Sequence, residues 1–325
     1  MKREVSVEAA ENLATTIVLR SMGQRATRSA AIIGHGDVNS VVRVTTDQSE
    51  VIVRLRDEEN ALAEFRKEQW CIVQAARAGI PGPLVRQVGT IGTVAFMIES
   101  FVEGVYGPNS GDLDAIWYAL GQFAKTIHCL PVSGFGDQLD DATTGRFRSI
   151  DNRSWPGFIE RHIKSLTTDD PLLLLGVYGP EEQSILREHF LLLAAQRFVF
   201  GLCHGDLTSR NVIVASSGEI VLLDWGCAEV HIVPHFELVE TFREDEPHHT
   251  AIGTAPPARG EVHAFLNGYG LTPHLLGELA PQVATLYVLK MFDLVRNAME
   301  HRPADVAEYA ARAARALRDP PRLTA

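Results

Sequence analysis

The stretch Leu202–Gly226, LCHGDLTSRNVIVASSGEIVLLDWG, sets two aspartates, a histidine and an asparagine at the ends of two apolar runs. NVIV and EIVLLD are β-branched or aliphatic, and SSG between them has turn chemistry, which predicts a β-hairpin. A turn centred on Ser217 and Gly218 places Asn211 six residues before Ser217 and Asp224 six residues after Gly218, so the two are expected to face each other. Cross-strand partners lie about 4.5–5.5 Å apart. At that separation an amide oxygen and a carboxylate can share one hard cation, and oxygen donors suit Mg²⁺. Asp206 stands five residues before Asn211 on the loop entering the hairpin, with Gly205 giving the backbone room to bend. A carboxylate there can orient a hydroxyl and accept its proton, so the pattern reads as phosphoryl transfer. Any one of these residues alone would be an ordinary turn or cap. The combination H-x-D-x-x-x-x-N, followed thirteen residues later by D-W-G, is far more specific.

A chain of 325 residues with 46% hydrophobic content can bury a large core as one big domain or two lobes. No stretch has the roughly 18 uninterrupted apolar residues of a membrane span, and the charged N-terminal segment has no secretory h-region, so a cytoplasmic location is expected. Cys71, Cys129, Cys203 and Cys227 are scattered among apolar neighbours without a C-x-x-C pair. They are expected to be buried, reduced thiols, and metal binding through sulfur is not expected. The net charge of -11 argues against a nucleic-acid partner and permits a cationic small molecule.

Along the chain, AAIIGHGDVNSVVRVTT and EVIVRLR predict a small antiparallel sheet. EENALAEFRKEQWCIVQAARAG carries Leu62, Phe65, Ile72 and Ala76 on one helical face and stops at Gly79. TVAFMIESFVEG gives a further strand. Residues 104–198 are mostly helical in period, interrupted by the irregular SGFGDQLDDATTGRFRSIDNRSW, and two more helices are expected over about 282–318. The expected fold class is α+β, with a mainly β N-terminal third and a mainly α remainder that contains the hairpin.

HGDLTSRN and DWG resemble the catalytic loop and metal-binding segment of the aminoglycoside phosphotransferase and choline kinase group, relatives of the protein kinases. The resemblance covers about residues 30–310, with Gly205 and Trp225 in place of the protein kinases' Arg and Phe. It implies a bilobal protein-kinase-like fold, with a nucleotide-binding lobe at 1–100 and a catalytic and substrate-binding lobe at 101–325. It also implies Asp206 as catalytic base, Asn211 and Asp224 as Mg²⁺ ligands, His204 as a support for the loop, and ATP or GTP as phosphoryl donor.

Such a site needs a cation on the α/β-phosphates and a carboxylate to hold that cation. Alternation in VIVR puts Ile52 and Arg54 on one strand face, an apolar floor for the base beside a charge for the phosphates. Arg54 occupies the position of the family's lysine. Glu64 and Glu68 lie one helical turn apart as possible partners, and Glu68, between Phe65 and Ile72, is the one expected to point inward. IIGHGDVNSVVRV would cover the phosphates, with Asn39 and Ser40 adding hydrogen bonds, although it is not G-x-G-x-x-G. MIESFVEG resembles the segment between lobes, where Glu99, Ser100, Phe101 and Val102 would hold the nucleotide, the backbone of Ser100 to Val102 pairing with the base.

SGFG at 133–136 with WPGFI at 155–159 resembles the hygromycin B phosphotransferase branch. His128, in a helix common to the wider family, is expected to be a packing residue. FELVETFREDEPHH offers Glu237, Glu240 and Glu244 to an amino sugar, a solvated helix face being the alternative. The last stretch, from Lys290, is not acidic, so a weakly charged antibiotic such as a capuramycin-type nucleoside or a macrolide stays open beside an aminoglycoside. The enzyme is expected to be a monomer or homodimer that phosphorylates a small-molecule hydroxyl. A metabolic kinase for choline, homoserine or a sugar and a nucleotide-binding pseudokinase are the competing readings.

Overall fold

The computed structural model describes residues 6–32, 39–150, 153–241 and 259–319. The chain forms two compact units, one of Met1–Ile116 with Thr208–Ala228 and one of Trp117–Leu207 with Glu229–Ala325.

The first unit opens with α1 (Val7–Met22), whose N-terminus is capped by the Ser6 side chain accepting from the Ala9 N–H. Strands β1 (Ala26–Ile32), β2 (Ser40–Thr46), β3 (Glu50–Arg56), β4 (Val85–Ile91) and β5 (Val94–Ser100) form one antiparallel sheet in the order β1-β2-β3-β5-β4. Period-two alternation sorts its side chains. Val42, Val44, Val51, Val53 and Leu55 pack with Ala14, Ile17 and Val18 of α1. On the other face Ala95 and Met97 pack with Ala61 and Phe65 of α2 (Ala61–Arg77). The buried line of α2 runs through Ala75 rather than the expected Ala76, which is exposed. Strand β4 escapes a pattern reading because it is an edge strand, half exposed along both faces.

After β6 (Gly104–Tyr106) and α3 (Leu113–His128), the segment that reads as irregular folds into a small sheet. It consists of β7 (Ser133–Phe135), β8 (Gln138–Asp141) and β9 (Arg146–Arg148) in the order β7-β9-β8. The glycines of SGFG have a local reason. At Gly134 (φ 93°) and Gly136 (φ 120°) a Cβ would sit 1.9 Å from the Phe147 carbonyl oxygen and 2.3 Å from the Ser149 nitrogen. Helices α4 (Trp155–Ser165), α5 (Pro171–Leu174) and α6 (Pro180–Ala195) lead to β10 (Phe200–Cys203).

The chain then returns to the first unit through β11 (Val212–Ala215) and β12 (Ile220–Leu222), with β6 paired on the outer edge of β11. The Leu222 N–H donates to the Pro81 carbonyl at 2.9 Å and ties this hairpin to the segment after α2.

The second unit resumes with β13 (Glu229–Ile232), antiparallel to β10, and α7 (His235–Thr241). It ends with α8 (Arg259–Tyr269), α9 (Pro273–His301) and α10 (Val306–Arg318). Helix α9 starts well before the expected 282, because Thr272 caps it and the helix runs on through Pro281. Helices α3 and α8 pack backbone to backbone: a Cβ on Gly121 would lie 2.1 Å from the Phe265 carbonyl oxygen, and one on Gly268 2.0 Å from that of Tyr118. Two cysteine expectations fail. Cys71 and Cys203 are buried, but Cys129 and Cys227 are exposed, Cys129 in the turn after α3 and Cys227 in the turn before β13. Among the described residues no helix is long and apolar enough to cross a membrane.

Candidate active site

In the first unit, sheet, helix and hairpin meet at Arg54. Its guanidinium Nη1 lies 2.5 Å from Glu68 Oε2 on α2, and Nη2 lies 3.3 Å from Asp224 Oδ1 just past β12. Arg54 is 8% and Glu68 2% exposed, so this is a desolvated ion pair rather than a surface one. Burial opposes the charge on Arg54, yet Glu68, Asp224 and Glu99 outweigh it and raise its pKa, so the group stays a cation. Burial pushes the Glu68 carboxyl up, with Arg54 pulling against it. Glu64 is occupied elsewhere and meets Arg56.

The hairpin register differs by one residue from the expected one. Val212 pairs with Leu222 and Val214 with Ile220, and the Leu223 N–H donates to the Asn211 carbonyl at 2.8 Å. Asn211 therefore stands opposite Leu223, not Asp224. The cause is the turn: Gly218 (φ 83°) closes a three-residue loop whose centre is Ser217, where a two-residue turn centred between Ser217 and Gly218 was expected. Asp224 has left the strand by then. Its φ of 53° is in the left-handed region, which Asp tolerates better than most residues, and its side chain is half exposed while touching Arg54.

Lys67 belongs to the same corner and is not visible in the pattern, since it reads as a solvated helix position. Only 5% exposed, it donates from Nζ to the Gly226 carbonyl at 2.9 Å and so fixes the D-W-G turn to α2. The Gly226 N–H reaches Asp224 Oδ1 at 3.4 Å, and Trp225 is buried.

Ile52 lies on β3 opposite Glu99, and Ser40 opens β2 opposite Leu55. The loop expected to cover the phosphates lies, at positions 33–38, outside the described residues. In the segment after β5, the Ser100 N–H donates to the Leu84 carbonyl at 2.9 Å and the Phe101 N–H to the Glu50 carbonyl at 3.2 Å. Those two donors are committed to backbone carbonyls of the same unit. The Arg43 guanidinium lies 3.8 Å over the Phe101 ring.

His204, Gly205 and Asp206 stand in the second unit. Strand β10 ends at Cys203, the buried His204 follows, and Gly205 turns the chain at φ 77° before Asp206. The Asp206 N–H points at His204 Nδ1 at 3.3 Å. Glu237, expected to reach substrate, is placed differently. It is 1% exposed on α7, and its two oxygens accept the backbone N–H groups of His204 at 2.8 Å and Gly205 at 3.1 Å. His128 of α3 brings Nε2 to 3.5 Å from Glu237 Oε2, and its Nδ1 lies 2.8 Å from the Tyr269 hydroxyl of α8. His128 is thus packed, as expected of it, with one ring nitrogen on the Tyr269 hydroxyl and the other facing Glu237 without a hydrogen bond. Ligand atoms of His128, Cys203 and Glu237 lie within 4.8 Å of one another. Glu237 already serves two amides of the loop, so it acts there as a brace. Glu240 is also turned inward, 2.8 Å from Lys290 Nζ, and Glu244 lies outside the described residues.

For the Mg²⁺ that the resemblance implies, the chain offers hard oxygen donors: the Asn211 amide and the half-exposed Asp224 carboxylate beside a fixed cation. This donor set suits Mg²⁺, which takes few protein ligands.

The structure is similar to that of the aminoglycoside phosphotransferase APH(4)-Ia, with a TM-score of 0.66 and 16% identity over 95% of this chain and 98% of that one. It is similar to APH(2")-IIia, solved with GDP and kanamycin, with a TM-score of 0.64 and 14% identity over 94% and 99% of the two chains. A putative fructosamine-3-kinase from Haemophilus somnus 129PT matches with a TM-score of 0.57 and 12% identity over 92% and 96%. At these identities the likeness is one of fold. No curated protein sequence matches the chain. The model of the phosphotransferase enzyme family (APH) matches residues 29–280, well over half the sequence. With a buried arginine forked between a helix carboxylate and the D-W-G aspartate, and a braced H-G-D loop, the chain belongs to the phosphotransferase enzyme family.

Proposed function

We propose that this chain transfers the γ-phosphoryl group of ATP or GTP to a hydroxyl of a small molecule, a sugar-containing antibiotic first among the acceptors. The observation that carries this reading is the fork of Arg54 between Glu68 and Asp224. A polyphosphate and its cation need a fixed positive charge next to a carboxylate, held by groups that do not rearrange during reaction. In this reading residues 1–100 supply the nucleotide site and residues 101–325 the acceptor site. Arg54 binds the α/β-phosphates, Glu68 holds Arg54, and the backbone around Val102 meets the base above Ile52. Asn211 and Asp224 hold Mg²⁺, which when bound offsets the charge of the phosphates. Asp206 orients the acceptor hydroxyl and takes its proton, while Glu237 fixes the loop that carries Asp206.

The burial of Glu237 and Glu240 bears on the acceptor. Two of the acids that could have met an amino sugar are committed to backbone amides and to Lys290. A weakly charged acceptor, such as a capuramycin-type nucleoside or a macrolide, gains weight over a polycation. The fold likeness to a putative fructosamine-3-kinase supports a second reading, a metabolic kinase acting on a sugar-like alcohol. APH(4)-Ia has been solved with ADP and hygromycin B and APH(2")-IIia with GDP, so both nucleotides belong in the test.

Mass spectrometry for the gain of one phosphate decides between these readings. The panel holds aminoglycosides, nucleoside antibiotics, macrolides, choline, homoserine and sugar amines, each with ATP and with GTP. A product among the antibiotics supports the first reading and one among the metabolites the second. A nucleotide-dependent rise in melting temperature with no product across the panel would leave a nucleotide-binding pseudokinase.

A further inference from the structure

His128 and Cys203 take no part in the reaction proposed above. With Glu237 they bring three different donor atoms, a nitrogen, a sulfur and an oxygen, within 4.8 Å of one another inside the second unit. They come from the end of α3, the end of β10 and the first turn of α7, with no short spacing that would mark them in the sequence. All three are buried, at 8%, 0% and 1% exposure.

The ring of His128 separates this cluster from ordinary packing. Nδ1 lies 2.8 Å from the Tyr269 hydroxyl, whereas Nε2 is buried, has no hydrogen-bond partner and stands 3.5 Å from Glu237 Oε2. A charge-assisted N–H···O bond closes to about 2.7–2.9 Å, so this gap is not one. With the ring proton on Nδ1 and given to the Tyr269 oxygen, Nε2 presents a lone pair to a carboxylate. Two acceptors then face each other in a dry interior, and a positive charge between them resolves the conflict. Ligand atoms about 2.0–2.1 Å from a tetrahedral zinc ion stand about 3.4 Å apart, close to the separation of Nε2 and Oε2.

The donor set selects the ion. Nitrogen, sulfur and oxygen together suit Zn²⁺, where an all-oxygen set would suit Mg²⁺. The charges balance, because a thiolate and a carboxylate neutralise a divalent ion and the thiol proton leaves to solvent as the metal binds. Glu237 keeps the His204 and Gly205 amides throughout, since each carboxylate oxygen has two lone pairs and ligating carboxylates are themselves hydrogen-bonded. Tyr269 holds the imidazole by its far nitrogen, as outer partners of zinc-bound histidines do.

We propose that His128, Cys203 and Glu237 bind a zinc ion that ties α3 and α7 to the end of β10, next to the H-G-D loop. The inference stands apart from the nucleotide and acceptor assignments and from Mg²⁺ at Asn211 and Asp224.

Because the cluster is buried, zinc enters as the chain folds. The full chain is assayed for zinc by plasma mass spectrometry both as purified and after unfolding and refolding with equimolar Zn²⁺, excess Mg²⁺ and desalting. The wild-type protein should hold about one zinc per chain. His128→Gln and Cys203→Ala should bring the content near zero, whereas Cys129→Ser and Cys227→Ser, at the exposed cysteines, should leave it unchanged. Tyr269→Phe, which keeps all three ligands, should weaken zinc affinity about 10- to 100-fold, and it serves where both ligand variants fail to fold. Refolding with Co²⁺ should give a thiolate-to-metal charge-transfer band in the near ultraviolet that Cys203→Ala lacks. A zinc-free wild-type protein from both preparations, zinc held in full by a folded ligand variant, or an unchanged affinity in Tyr269→Phe overturns the proposal. The 3.5 Å gap would then belong to a protonated His128 paired with Glu237.

Discussion

Glu237 and His204 are thirty-three positions apart, yet the Glu237 carboxylate accepts the His204 backbone N–H at 2.8 Å and takes the Gly205 N–H with its other oxygen. Two amides, that of His204 buried and that of Gly205 partly so, point at one buried carboxylate and make a strong, charge-assisted pair, and the loop they belong to delivers Asp206. Glu237→Gln keeps the volume but turns an NH₂ group toward one of those N–H donors, leaving it buried and unmet. We expect kcat to fall about 10- to 100-fold, in line with about 1–3 kcal/mol for an unmet buried donor. Nucleotide affinity should stay within about twofold, since the nucleotide groups are in the other unit. Steady-state kinetics beside nucleotide calorimetry check the split; equal losses in both would remove the positioning role.

Arg54 and Glu68 form a buried pair, and removing one partner of such a pair leaves an uncompensated charge. Glu68→Ala should destabilise the protein by about 3–5 kcal/mol and weaken nucleotide binding together with it. Arg54→Met with Glu68→Met should recover much of that stability but none of the binding. Chemical denaturation of the single and double variants tests this. A Glu68→Ala protein of wild-type stability would mean that Asp224 alone holds the arginine.

The Glu99 carboxyl gives a stability signature with a fixed sign. Folding raises it from 4.5 to about 7, so the folded chain holds that proton more tightly than the unfolded chain. Its contribution is fully present below pH 4.5 and is lost as pH rises to about 7. At about 1.4 kcal/mol per pH unit this amounts to about 3 kcal/mol. Glu99→Gln, which carries no titrating group there, should therefore gain on the wild type steadily between pH 4.5 and 7 and hold a constant margin above. Urea melts at pH 4.5, 6 and 8 measure the margin, and a difference independent of pH would show that Glu99 titrates normally.

Strong local chemistry was legible in the sequence, whereas features set by tertiary partners were not. Apolar period put α2 on the sheet and turned Glu68 inward, because Phe65 and Ile72 leave only one side of the helix for the core. The hairpin was visible, but its register was not, because two- and three-residue loops differ by one position and SSG suits either. That one-residue difference decides whether Asp224 faces Asn211 or leaves the strand to reach Arg54. Lys67 and Glu237 look like solvated helix charges until the backbone groups they serve, at Gly226 and at His204, are placed beside them. Long-range pairing of a charge with a backbone atom leaves no periodic trace.

Asp206 is the group for which binding and chemistry should separate most cleanly. Its side chain is assigned to the acceptor proton, while the phosphates depend on Arg54 and the cation on Asn211 and Asp224. Asp206→Asn keeps the shape and removes the base, so kcat should fall by about 10²- to 10⁴-fold, the usual worth of a positioned general base. Nucleotide should still raise the melting temperature as it does in the wild type. Asp224→Asn should do the reverse in part. It weakens the hold on Mg²⁺ and on one arm of Arg54, so nucleotide stabilisation and turnover should decline together, and added Mg²⁺ should restore some of both. Single-turnover assays across a Mg²⁺ series, paired with thermal melts, distinguish the two variants. If Mg²⁺ rescued Asp206→Asn rather than Asp224→Asn, the two aspartates would have to exchange roles.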